Sequence, residues 1–270
     1  MLVDTHCHLN FSAFDTDRVE VVQRAREAGL TQILNPGIDL PSSNAAVKLA
    51  LTFPEVYAAV GVHPNDALSW ERSTYTELQK LAAHKKVVAI GEIGLDYYWN
   101  KAPDDLQRQI FTAQLQMAAE NQLPVVVHVR DADPDQRPAM QDCLKILEAW
   151  QTNLLETGNP LADNPGVLHS FSGTQEDARR ASSMNFYLGI TGPVTYHKSL
   201  VMQAVVAQSP SDRLLIETDA PFLTPNPYRG KRNEPAYVRY VAEKIAQING
   251  YTYDNLSEMT TQNAGRLFHW

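Results

Sequence analysis

Short runs of apolar and β-branched residues alternate with longer stretches of helical periodicity along the whole chain, and this regular alternation leaves few folds open. The runs Leu2–His6, Thr31–Asn35, Tyr57–His63, Val87–Ile93, Pro124–Arg130, Gly166–Ser170, Phe186–Thr191 and Arg213–Asp219 read as strands. Between them, helices are expected over Asp17–Ala28, Ser42–Leu51, Thr74–Ala83, Asp104–Asn121, Ala139–Trp150, Gln175–Met184 and Ser199–Val206. The fourth helix is the plainest, with Leu106, Ile110, Ala113 and Met117 at helical spacing behind Pro103-Asp104-Asp105. Alternation of this kind implies parallel strands joined by right-handed crossovers, and about eight units close naturally as a (β/α)8 TIM barrel. Two more helices, Glu234–Ile248 and Tyr253–Phe268, follow the last strand and are expected to close that barrel, so residues 1–270 form a single domain. The competing fold is a doubly wound open sheet. It gathers its site at one switch point, commonly behind a glycine-rich turn after the first strand, and here that strand ends in His6-Cys7-His8 instead.

A chain of 270 residues with 44% hydrophobic and 20% charged residues can bury a substantial core, which argues against disorder. A net charge of −8 argues against a broad basic surface that holds nucleic acid by counterion release, so a polyanionic substrate must be met locally. The two cysteines, Cys7 and Cys143, form no disulfide framework or zinc ribbon, which fits a reducing cytoplasm. Neither a signal peptide nor a membrane span is legible, and nothing indicates an obligate protein partner.

The polar residues at the strand ends carry the chemistry. His6 and His8 are two apart in an extended segment, so both imidazoles leave one face and converge, an arrangement that favours a metal. Asp4, one step deeper, is placed to accept a ring N–H and fix a tautomer. Val88, Ile90 and Glu92 alternate inward, leaving Glu92 at the mouth, where an unpaired carboxylate would be costly and ligation removes the difficulty. Val126, His128 and Arg130 share a face in the fifth strand, as do Val167, His169 and Phe171 in the sixth, and Leu215, Glu217 and Asp219 in the eighth. Each has an ordinary structural explanation alone. Four histidines and two carboxylates at the carboxyl ends of strands together make the ligand set of a binuclear centre.

With those residues in place, the chain resembles the TatD family of metal-dependent deoxyribonucleases, within the amidohydrolase-like superfamily. The resemblance covers nearly the whole chain. It rests on Asp4-Thr5-His6-Cys7-His8-Leu9, Gly61-Val62-His63-Pro64, Gly91-Glu92-Ile93-Gly94-Leu95-Asp96-Tyr97, Val127-His128-Val129-Arg130, His169-Ser170-Phe171-Ser172-Gly173, Glu217-Thr218-Asp219-Ala220-Pro221-Phe222-Leu223 and Arg232-Asn233-Glu234-Pro235. It implies that His6, His8 and Asp219 hold one divalent ion, that His128 and His169 hold the other, and that Glu92 bridges them. Four imidazoles favour zinc, manganese or iron on ligand softness, while phosphoryl transfer often works with magnesium.

The implied activity is hydrolysis of DNA phosphodiester bonds, with Glu92 and Asp219 as catalytic residues and Asp219 as the candidate general base. His63 and Arg130 are expected to bind non-bridging oxygens, and Arg229, Lys231 and Arg232 to hold a flanking phosphate. A local basic rim on an acidic body suits single-stranded or frayed ends and an exonuclease-like action. The rival activity is hydrolysis of a small ester, amide or phosphotriester; relatives of that kind commonly bridge their metals with a carbamylated lysine, where this chain has Glu92. A non-catalytic, metal-stabilised scaffold is the other alternative, and it would not need residues from five strand ends. The stretch Asp131–Pro165, whose second part Thr152–Pro165 is rich in Gly, Asn and Pro, is longer than usual for the family and reads as an added surface loop or a flap over the mouth.

Overall fold

A computed structural model describes residues 1–133 and 135–270, so Pro134, within the Asp131–Pro165 stretch, lies outside the described residues. Eight parallel strands form one sheet in sequential order: β1 (Leu2–Asp4), β2 (Leu30–Pro36), β3 (Val56–Val60), β4 (Val87–Asp96), β5 (Val125–Arg130), β6 (Gly166–Leu168), β7 (Tyr187–Ile190) and β8 (Leu214–Ile216). The last strand returns to the first through backbone bonds. Thr5 N–H donates to Ile216 O, His8 N–H to Ala220 O and Asp219 N–H to His6 O, and Cys7 bridges Ala220. The seam that closes the barrel is thus built from the segments that carry His6, His8 and Asp219. Around the sheet run α1 (Arg18–Glu27), α2 (Leu40–Thr52), α3 (Thr74–Ala82), α4 (Asp104–Asn121), α5 (Pro138–Glu156), α6 (Gln175–Ser183), α7 (Leu200–Gln208), α8 (Val238–Asn249) and α9 (Tyr253–Phe268). The single-domain (β/α)8 barrel expected from the alternation is what the chain forms. No helix among the described residues is long and apolar enough to cross a membrane.

Two apolar layers hold this arrangement. The outer one lies between sheet and helices. The inner one takes a residue from every strand, among them Val3, Leu34, Ala59, Val126, Val167, Tyr187 and Leu215, all buried. Ala264, Leu267 and Phe268 of α9 pack against this inner layer, so the C-terminal helix plugs the barrel. With the interior filled by side chains, polar groups have room only at the carboxyl ends of the strands.

Two readings of the sequence need correction. Regular pairing in β1 ends at Asp4, and the register of β4 against β5 shifts between Ile90 and Ile93, so simple alternation from Val88 does not carry through to Glu92. Beyond β5, the stretch Thr152–Pro165 is neither a loose loop nor a flap. Helix α5 continues to Glu156 with Leu154 buried, Gly158 turns the chain at φ +65°, and Pro160–Asp163 form a 3-10 turn with Leu161 and Ala162 buried. The Ala162 carbonyl accepts from Gln151 Nε2 and Asn185 Nδ2, and the segment leads into the amino end of β6, away from the mouth.

Candidate metal centre

Pairing of β1, β3, β6 and β8 stops before His6, His63, His169 and Asp219, which sit on short segments just above the barrel rim, while Glu92 and Asp96 lie within β4 and His128 and Arg130 within β5. Four ligand atoms meet over β1 and β8. His6 Nε2 and His8 Nε2 are 3.2 Å apart; Glu92 Oε2 lies 3.4 and 3.5 Å from them, and Asp219 Oδ1 lies 3.8 and 3.6 Å from them. Tetrahedral bonds of about 2.0–2.1 Å to one ion would set ligand atoms about 3.3 Å apart, so the four atoms fit a shared cation. The other oxygen of Glu92 faces a second group: Oε1 is 2.9 Å from His128 Nδ1, 3.6 Å from His63 Nε2 and 3.8 Å from His169 Nε2. Among the described residues, ligand atoms cluster as His6–His8–Glu92, His63–Glu92–His128 and His6–His169–Glu217.

The residues behind the imidazoles decide what each ring offers. Glu217 Oε1 lies 3.0 Å from His169 Nδ1, and Asp96 Oδ2 lies 3.1 Å from His128 Nε2. Each carboxylate accepts a hydrogen bond from one ring nitrogen and turns the other toward Glu92, where it would serve as a ligand once a cation displaces its proton, the usual support of a metal-binding histidine. Glu217 is fully buried, also accepts from Ser170 N–H, and fits because position 189 is glycine, where a Cβ would collide with its carboxylate. Burial alone would lower the His169 pKa, but the Glu217 carboxylate outweighs it and carries the ring to about 10. Burial would raise Glu92, and the surrounding imidazoles, His6 first, overcome it and hold the carboxyl well below its ordinary range. Asp96 is held at about 2: burial is opposed by His128, the backbone of Trp99 and Asn65.

His63 differs from the other rings. Its Nδ1 accepts from Asn65 N–H at 3.1 Å, so the neutral ring carries its proton on Nε2, aimed at the pocket. Burial, with His128 beside it, lowers its pKa to about 3 and keeps it neutral. It is therefore built as a hydrogen-bond donor. Asp4 does not orient a ring as expected: its carboxylate accepts from the backbone N–H of His6 and Thr218 and from the Thr218 hydroxyl, bracing β1 on β8. The Nδ1 atoms of His6 and His8 have no hydrogen-bond partner among the described residues.

His8, His63, Glu92, His128, His169 and Asp219 line a cavity of about 660 Å³ that also takes in Arg130, Asp96, Trp99, Lys101, Phe11 and Phe222. The residues expected to bind phosphate divide. Arg130 and His63 line the cavity, whereas Arg229, Lys231 and Arg232 do not. Arg232 pairs with Asp17 at 2.6 Å and donates to the Ala13 carbonyl, while Arg229 lies over the Tyr196 ring and Lys231 over Tyr228. The segment after β8 folds back onto the one after β1, which turns Arg232 into a tie between loops. Asp96 and Glu217 were missed as site residues although both fall in strand-end motifs at even spacing from Glu92 and Asp219, a signal that could have found them.

Comparison with known proteins bears on this site. Residues 3–269 match the model of the family described as TatD related DNase. The chain belongs to the TatD family. An uncharacterized metal-dependent hydrolase, YabD, of Bacillus subtilis is 44% identical over 268 residues, covering 99% of both chains. A TatD protein of Cronobacter sakazakii, named as a 3'-5' ssDNA/RNA exonuclease, is 37% identical over 273 residues, covering 99% of this chain and 97% of its own. In structure, the TatD homologue YjjV of Escherichia coli K12 superposes with a TM-score of 0.89 at 28% identity, covering 100% of this chain and 98% of its own. This TatD chain is thus a metal-dependent hydrolase, and its buried histidine and glutamate clusters are of the kind a binuclear centre requires.

Proposed function

We propose that this TatD-family chain is a deoxyribonuclease that hydrolyses phosphodiester bonds with two divalent ions, acting as an exonuclease on single-stranded or frayed ends. The observation that carries this reading is the position of Glu92, which offers one oxygen to each of two ligand groups on a common floor. His6, His8 and Asp219 would hold one ion, His128 and His169 the other, and Glu92 both. When bound, such a pair supplies a nucleophile near neutral pH and neutralises charge developing on the phosphoryl oxygens.

The chain's own residues supply the rest. Asp219, partly exposed to the cavity and kept ionised against its desolvation by the histidines around it, is placed to accept the proton of the attacking water. His63 donates from Nε2 toward a non-bridging oxygen, and Arg130 on the wall neutralises a phosphate. The cavity ends on a plugged barrel, so a substrate must enter by a terminus or a flexible strand, which favours ends over a continuous duplex. The name of the Cronobacter relative supports a single-stranded substrate, with RNA strands in the same class.

The test uses metal-loaded protein on labelled linear single strands, closed circular duplex and a panel of small esters, lactones and phosphotriesters. Linear strands should be shortened stepwise while circles stay intact. Circles degraded as fast as linear strands would remove the exonuclease reading, and turnover confined to the small-molecule panel would remove the nuclease reading altogether.

A further inference from the structure

The wall of the cavity above β4 and β5 carries a feature that the ligand set does not use. Tyr98 and Trp99 lie one residue beyond the end of β4 and are 48% and 54% exposed, with ring centroids 5.0 Å apart and planes at 88°. Large aromatics cost free energy in contact with water, and two side by side at the mouth of a pocket mark a surface kept for a ligand. Arg130 lies against both: its guanidinium carbon is 4.1 Å from the Tyr98 ring centre and 5.4 Å from that of Trp99. No carboxylate pairs with Arg130 among the described residues, although the chain carries more acidic than basic groups. A guanidinium held over a ring keeps N–H donors free for an anion and has less rotamer freedom left to lose.

The wall is also fixed relative to the metal-binding groups. Asp96 Oδ1 accepts the backbone N–H of both Tyr98 and Trp99 at 3.0 Å, and its Oδ2 lies 3.1 Å from His128 Nε2, whose other nitrogen faces Glu92. One carboxylate therefore sets His128 and the aromatic pair together. A displacement of the wall would shift His128 as well.

We propose that Trp99 is a stacking surface for one base of a single strand and that Arg130, held by Tyr98, binds the phosphate of that same strand beside the scissile bond. This rests on the nuclease reading and deepens it by giving single-strand preference a structural cause. A base must leave its duplex stack to present a face to Trp99, and every base has such a face, so the wall selects for unpaired strands without reading sequence.

The test needs no turnover. Binding of two short fluorescein-labelled oligomers is followed by anisotropy with a chelator present: an oligothymidylate and an abasic sugar-phosphate chain of the same length. Trp99→Ala should weaken oligothymidylate binding on the order of ten-fold and leave abasic binding unchanged, while Trp99→Phe retains most of the affinity. Arg130→Ala should weaken both and lower the salt slope of binding by about 0.7, the share of one phosphate contact on a single strand. Equal loss on both oligomers in Trp99→Ala, or no loss on either, would overturn the stacking role while leaving the nuclease reading intact. A wild-type chain that neither binds nor, once metal-loaded, cleaves single strands would overturn both.

Discussion

Replacing Glu92 by Gln is expected to lower turnover on a single-stranded oligonucleotide by on the order of a thousand-fold or more and to reduce bound metal below two ions per chain. The substitution keeps the shape of the side chain and removes its charge. Its two oxygens lie within 3.8 Å of five ring nitrogens, those of His6, His8, His63, His128 and His169, with one oxygen turned to each group. A neutral amide presents one acceptor and one donor, so one of the two groups must face N–H instead of a lone pair. Elemental analysis of the purified variant, beside a single-turnover assay, separates loss of metal from loss of chemistry. A variant with full metal and near-normal turnover would show that the two groups do not share a carboxylate.

The second large effect is expected at Asp219, with a different signature. Its Oδ1 lies 3.6 to 3.9 Å from His8, His6 and His169, and its side chain, 14% exposed, is the most accessible carboxylate of the floor. Asp219→Asn retains an oxygen for a cation and loses the proton acceptor. Turnover should fall by about a hundred- to ten-thousand-fold while metal content falls less than in Glu92→Gln. The residue sits at φ +55°, in the left-handed region that Asn also tolerates, so the exchange leaves the turn intact. Substrate affinity measured with chelator present should change little. A fall in turnover explained wholly by lost metal would leave Asp219 as a ligand and take away its role as a base.

How far the sequence could be read depended on whether a residue's neighbours are local. Strands and helices were legible because their periodicities are local, and α9 was placed within a residue of its ends. The barrel followed from counting units. The convergence of His6, His8, Glu92, His128, His169 and Asp219 was legible because every barrel strand delivers its carboxyl end to one face, so position in the chain translates into position at the mouth. What was not legible depended on partners distant in sequence. Asp4 reads as a histidine's support until Thr218 is seen beside it. Arg232 reads as a free cation until Asp17 and Ala13 are seen to hold it. Thr152 and Asn153 are weak helix formers next to Gly158 and Pro160, so α5 seemed to stop early; it is carried on by the burial of Leu154, which local propensity does not register.

The decisive measurement is a titration of metal-stripped protein with manganese or zinc in which bound metal per chain and cleavage of an end-labelled single strand are followed in the same samples. Two ions should bind per chain, with cleavage negligible through the first and rising with the second. Full cleavage at one equivalent, or none at two, would contradict a nuclease built on two ions sharing Glu92.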